Sequence, residues 1–225
     1  MNDNKKPAGC SEEKATIEVC SAKKKFRENE VLKNVDLKCN KGEICGIIGR
    51  NGSGKTVLFK AICGFLKLEE GCIRVNGKEM EKEMDMLDYA GIIIEEPAFL
   101  RNQSGLKNLD FLYMIRNRRD KKQLCDVMKR VGLDPLSRKR VGNYSMGMRQ
   151  RLAIAQAIME NQEILILDEP MNGLDNEGVA DIRCLLQDLK KEGKTILIAS
   201  HNKEDIEVLC DTVYEMDGGE LKKIR

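Results

Sequence analysis

Short, nearly unbroken apolar runs recur along the chain at residues 44–48, 92–94, 164–167 and 196–199, each followed by a turn and then a helical pattern. Runs of that length and flanking predict strands of a parallel sheet covered on both faces. Nearer the start the pattern changes. Residues 15–20 alternate between apolar and polar, and residues 71–75 lead into Asn76-Gly77, a hairpin signal, so antiparallel strands are predicted to flank the core. In the middle, Leu124, Val127, Met128 and Val131 fall at i, i+3, i+4 and i+7, with Gly132 placed to cap that helix. A second helix is predicted over 105–116. Residues 97–150 therefore read as a helical lobe inserted into an α/β core, and residues 1–13, polar and without period, as a flexible tail before one domain spanning 14–225.

Composition narrows the partners. With 225 residues and 41% hydrophobic positions, the chain can bury one sizeable core. Lys and Arg total 39 against 37 Asp and Glu, so no overall field draws the molecule to nucleic acid or to an anionic membrane. The basic clusters at 23–25, 116–122 and 138–140 read as solvated faces, and the one at 116–122, in the helical lobe, could also lie against lipid headgroups. Aromatics make up 4% of the chain and Trp is absent, which leaves no stacking platform for nucleic acid. The nine cysteines are irregularly spaced, form no C-x-x-C pair, and follow no secretory signal. Buried, reduced thiols in a cytoplasmic protein are expected. Every apolar run is strand length, far below the roughly 20 residues that span a bilayer.

The chemistry begins after the strand at 44–48. Gly49-Arg50-Asn51-Gly52-Ser53-Gly54-Lys55-Thr56 fits G-x-x-x-x-G-K-[ST] in the strand-loop-helix setting that the motif requires. Glycines let backbone N–H groups converge on phosphate oxygens, and the following helix adds its positive end. Lys55 reaches the β- and γ-phosphates, and Thr56 ligates magnesium. The run at 164–167 ends in Asp168-Glu169, at the sheet edge where open α/β folds bind ligands. Alone, such a pair could merely terminate a strand at the surface. Beside a phosphate loop, Asp168 reads as a magnesium ligand and Glu169 as the group that activates an attacking water. His201, the only histidine, follows the strand at 195–200 and projects at the same edge. Asp175 precedes a helical pattern of Val179, Ile182, Leu185 and Leu189, and reads equally well as a helix cap.

Tyr144-Ser145-Met146-Gly147-Met148-Arg149-Gln150-Arg151 resembles the L-S-G-G-Q signature of the ATP-binding cassette (ABC) family, keeping Ser145 and Gly147. Together with the phosphate loop and the acidic pair, it extends the resemblance over about residues 14–225. The Y-S-x-G-M-[KR]-Q-R form is similar to that of bacitracin-resistance and lantibiotic-immunity exporters. So is Glu95, which stands where the family usually has glutamine and would ligate magnesium and sense the γ-phosphate. The resemblance implies a RecA-like P-loop fold with an antiparallel β part and an inserted α-helical subdomain. It implies ATP and Mg²⁺ as ligands, Phe26 as a ring stacked on adenine, and His201 as a γ-phosphate contact. Gly173-Leu174-Asp175 would link two sites, and Val57 replaces a hydroxyl that could have met the α-phosphate. Two such subunits, identical or different, would face head to tail, with ATP between Lys55 of one and Ser145 and Gly147 of the other. The implied setting is the cytoplasmic face of the cell membrane, peripheral to it through a separate permease. The main alternative is a soluble ABC ATPase that powers a soluble assembly such as iron–sulfur cluster building.

Overall fold

The computed structural model describes residues 15–80, 89–96 and 98–225, so the expected tail at 1–13 lies outside the described residues. The chain runs β1 (Ile17–Phe26), β2 (Asn29–Cys39), β3 (Ile44–Ile48), α1 (Lys55–Ile62), β4 (Glu70–Val75), β5 (Lys78–Glu79) and β6 (Ala90–Ile93). It continues through α2 (Gly105–Tyr113), α3 (Lys121–Arg130), α4 (Met146–Ile158), β7 (Ile164–Asp168) and α5 (Asn176–Lys191). The last elements are β8 (Thr195–Ser200), α6 (Lys203–Leu209), β9 (Thr212–Asp217) and β10 (Glu220–Lys223).

The larger sheet has the order β10-β9-β3-β8-β7-β6, with β9, β3, β8, β7 and β6 parallel and β10 antiparallel at one edge. Strands β3, β7 and β8 are buried along their whole length, which is why they read as unbroken apolar runs. Their side chains alternate between two cores. Cys45, Ile47, Ile164, Ile166, Leu197 and Ala199 face α1 and the smaller sheet, where Leu58, Phe59 and Ile62 meet Ile17, Leu37 and Val75. Ile44, Ile48, Leu165, Leu167, Ile196 and Ile198 face the other way, onto Leu152 of α4, Ile182 of α5 and Ile206 of α6. Helix α1 thus lies between two sheets, and its N-terminus opens at the C-terminal edge of the parallel one.

The smaller sheet is antiparallel, in the order β2-β1-β4-β5, with Asn76 and Gly77 turning β4 into β5. Strand β1 continues past the expected end at 20 to Phe26, across an irregularity beside Ser21, whose N–H donates to Asp36 Oδ1 at 2.8 Å. Strand β2 was not expected. Leu32 and Val35 are both buried yet three apart, because Asn34 takes a left-handed φ of 55°, and that slip breaks the alternation that marks a strand.

Helix α2 ends at Tyr113 rather than at 116. Helix α3 closes as its sequence suggests. Gly132 adopts φ 74°, its N–H donates to Lys129 O, and the N–H of Leu133 reaches back to Met128 O, which satisfies the last carbonyls. Leu109 of α2 and Leu124 and Met128 of α3 pack with Leu152 of α4, while the far end of α4 lies against β6. The thiol expectation needs correction. Among the described residues Cys39, Cys45, Cys63 and Cys210 are buried, but Cys20, Cys72 and Cys125 are half-buried and Cys184 is exposed on α5; all are free. No helix among the described residues is long and apolar enough to cross a membrane.

Candidate functional site

The phosphate loop is shaped by close backbone approaches. A side chain at Gly49 would strike Met216 O and lie 2.7 Å from Ser53 Oγ, and Gly54 sits at φ 115° with Val31 O 2.9 Å from where a Cβ would be. Only glycine meets both demands at Gly54. Arg50, Asn51 and Gly52 form the exposed tip, Ser53 is buried, and Val57 packs toward the core between the sheets. Lys55 is 5% exposed and folds back over the loop, its ammonium donating to Gly49 O at 2.7 Å and Arg50 O at 3.3 Å. Its nearest anion is Glu169, with Oε1 3.8 Å away.

One residue along α1, the Thr56 hydroxyl donates to Asp168 Oδ2 at 2.6 Å. Burial raises the Asp168 carboxyl above its ordinary range; the Thr56 hydrogen bond opposes this, and the charge of Glu169 pushes it up further. Three buried oxygens around the loop, Ser53 Oγ, Asp168 Oδ1 and Glu169 Oε1, have no hydrogen-bond partner among the described residues. Leaving such groups unmet costs about 1–3 kcal/mol each, so their convergence marks a place shaped for a ligand. A hydroxyl and a carboxylate are hard oxygen donors that suit Mg²⁺, and the loop N–H groups with Lys55 suit a polyphosphate. The residues fit both groups.

Glu169 leaves β7 with φ 50°, an uncommon conformation for a side-chain-bearing residue. Its N–H donates to Ala199 O at 2.9 Å, and its Oε2 lies 2.8 Å from His201 Nδ1 at the end of β8. Gln150 of α4 donates through Nε2 to Pro170 O at 3.0 Å and to Glu169 O at 3.3 Å. Glu95, at φ 62°, has an exposed carboxylate 2.6 Å from Lys60 Nζ and lines one cleft with Thr56, Asp168, Glu169 and Gln150.

The remaining residues lie elsewhere. Ser145 caps α4, its Oγ accepting from Met148 N at 3.1 Å, and Asp175 caps α5, its Oδ1 accepting from Gly178 N at 2.9 Å. Ser145, Gly147 and Asp175 share a second concavity with Gly173 and Leu174, which adjoins the cleft of Thr56, Asp168 and Glu169 at Met146. Phe26 is exposed at the end of β1, with Lys24 Nζ 5.5 Å from its ring centre. The structure therefore gathers Lys55, Thr56, Glu95, Asp168, Glu169 and His201, and holds Ser145, Gly147 and Asp175 apart from them. Sequence reading missed Lys60 and Gln150. Lys60 is one helical turn from Thr56 and so on its face, which is the signal that could have found it.

A family model described as ABC transporter matches residues 32–172. The uncharacterized ABC transporter ATP-binding protein YybJ of Bacillus subtilis is 41% identical over 206 residues, covering 92% of this chain and 94% of its own. The bacitracin transport ATP-binding protein BcrA of Enterococcus faecalis is 39% identical over 207 residues, covering 91% of this chain and 67% of BcrA. Among solved structures, CbiO1 of Clostridium perfringens, part of the ABC transporter complex CbiONQ, aligns with a TM-score of 0.81 at 29% identity, covering 92% of this chain and 87% of CbiO1.

Proposed function

Because the chain belongs to the ABC transporter family and is an ATP-binding, ATP-hydrolysing subunit, we propose that it works as one of two cassettes that close around ATP to drive a separate transmembrane permease. The observation that carries this reading is the division of the site. Thr56, Asp168 and Glu169 share one cleft, with the Lys55 ammonium 3.8 Å from Glu169, while Ser145 and Gly147 lie in another concavity of the same chain. A second cassette, identical or different, turned head to tail would bring its Ser145 helix end to the ATP held by this chain's loop.

Each residue then has a task. The loop from Gly49 to Thr56, with Lys55, holds the phosphates, and Phe26 carries the adenine. Thr56 and Asp168, with Glu95 beside them, would hold Mg²⁺, which offsets phosphate charge and orients the oxygens. Glu169 takes the proton of the attacking water, and His201, 2.8 Å away, fixes the direction of that carboxylate. Asp175, at the edge of the Ser145 concavity, lies where it would pass closure from one site to the other. The protein would work at the cytoplasmic face of the membrane, held there by the permease. Similarity to a bacitracin transport protein, together with Glu95 and the methionines at 146 and 148, supports export of peptide antibiotics or related compounds as its task.

The test uses Glu169→Gln. Loss of the base should lower turnover by about 10²- to 10⁴-fold while ATP still binds. Tagged protein of that variant, held closed with ATP and magnesium, should then pull an integral membrane protein from gently solubilised cells of its source. Recovery of soluble partners alone would overturn the permease reading in favour of an assembly factor.

A further inference from the structure

Gln150 has no part in the scheme above, yet it joins two of its elements. It is half-buried on α4, one helical turn beyond Met146 and the Ser145 cap. Its side-chain amide spans to the opposite wall of the cleft and donates to the carbonyls of both Glu169 and Pro170. Those carbonyls belong to the turn that aims the Glu169 carboxylate. The turn is already constrained by Asn172 N donating to Glu169 O at 3.1 Å and by Glu169 N on Ala199 O. A residue at φ 50° with a side chain persists only where its surroundings overdetermine it, and Gln150 supplies a restraint that comes from outside the turn.

We propose that Gln150 is the positioning residue for the hydrolytic base: its amide locks the Glu169–Pro170 backbone to the helix whose first turn carries Ser145 and Gly147. The inference rests on the two-cassette reading. It adds to it a direct link between the helix end that meets the partner's ATP and the carboxylate serving this chain's own ATP. When the first turn of α4 engages a nucleotide, the displacement of the helix is delivered to Glu169 through one amide. A shift of about 1 Å in a reacting group is enough to cost up to 100-fold in rate, so a single restraint can decide whether the base is in register.

The experiment compares Gln150→Met, which keeps the length and removes the donor, with Gln150→Lys, which keeps a donor of similar reach. Steady-state ATPase and titration with a fluorescent ATP analogue are read on both, with thermal melting as the control for folding. Gln150→Met should lose about 10- to 100-fold in kcat, with KM and nucleotide affinity changed by less than about twofold, and Gln150→Lys should recover most of the loss. Wild-type kcat in Gln150→Met overturns the proposal, as does equal damage in the two variants, or kcat and affinity falling together, since these mark a structural role. Glu169→Gln separates the layers. If that variant keeps its turnover, the base assignment itself fails; if it is inactive while Gln150→Met is normal, only the positioning role fails.

Discussion

Glu95 carries a full charge where a neutral amide is usual, and its surroundings show how that charge is managed. Its partner Lys60 is 36% exposed and the carboxylate 64%, so the ion pair is solvent-screened and worth less than about 1 kcal/mol. Such a pair opens easily, which would let Glu95 turn towards a divalent cation held by Thr56 and Asp168. Without the metal, the carboxylate would face the triphosphate and repel it. ATP affinity should therefore fall more on chelation of magnesium in the wild type than in Glu95→Gln, by up to about tenfold. Equal affinity with and without magnesium, measured by fluorescence titration, would refute this. At this scale the sequence was legible where spacing along one strand-loop-helix fixes geometry, as for Lys55 and Thr56, and where a buried apolar run ends at the sheet edge, as for Asp168. Lys60 and Gln150 escaped because their partners, a loop carboxylate and two main-chain carbonyls, meet them only through tertiary packing.

The elements were legible in proportion to their burial. β3, β7 and β8 have core on both faces and announce themselves as apolar runs, and α3 and α5 show clear amphipathic stripes. β2 did not, since its outward face is charged and Asn34 interrupts the period. The seam between α4 and the sheet depends on one position that pattern cannot reveal. Gly91 on β6 lies so close that an added Cβ would run into the carbonyl of Ala157 on α4 and come within 2.7 Å of Leu165 Cδ2. Gly91→Ala should destabilise the protein by about 1–3 kcal/mol or more, because backbone rather than a flexible side chain must yield. Urea denaturation with a midpoint unchanged from wild type would show that α4 can withdraw from β6 at no cost.

For the whole molecule, the governing observation is that the candidate binding residues are divided between two surfaces. Fold class was recoverable from sequence because the phosphate loop and the signature occupy fixed places in one topology. Their separation within the chain became visible only once the elements were packed. The division has a genetic consequence. In a pair of identical chains, Lys55→Ala ruins the loop half of each site, and Ser145→Arg the other half, so each variant alone should be inert. Mixed together, half of the randomly formed pairs would join one chain of each kind. Such a hybrid gathers both lesions in one of its two sites and leaves the other whole, so about a quarter of normal turnover should return. A mixture no more active than its parents would mean that identical chains do not share their sites. Two dead alleles that rescue each other would be the inherited signature of an active site that no single copy of the protein owns.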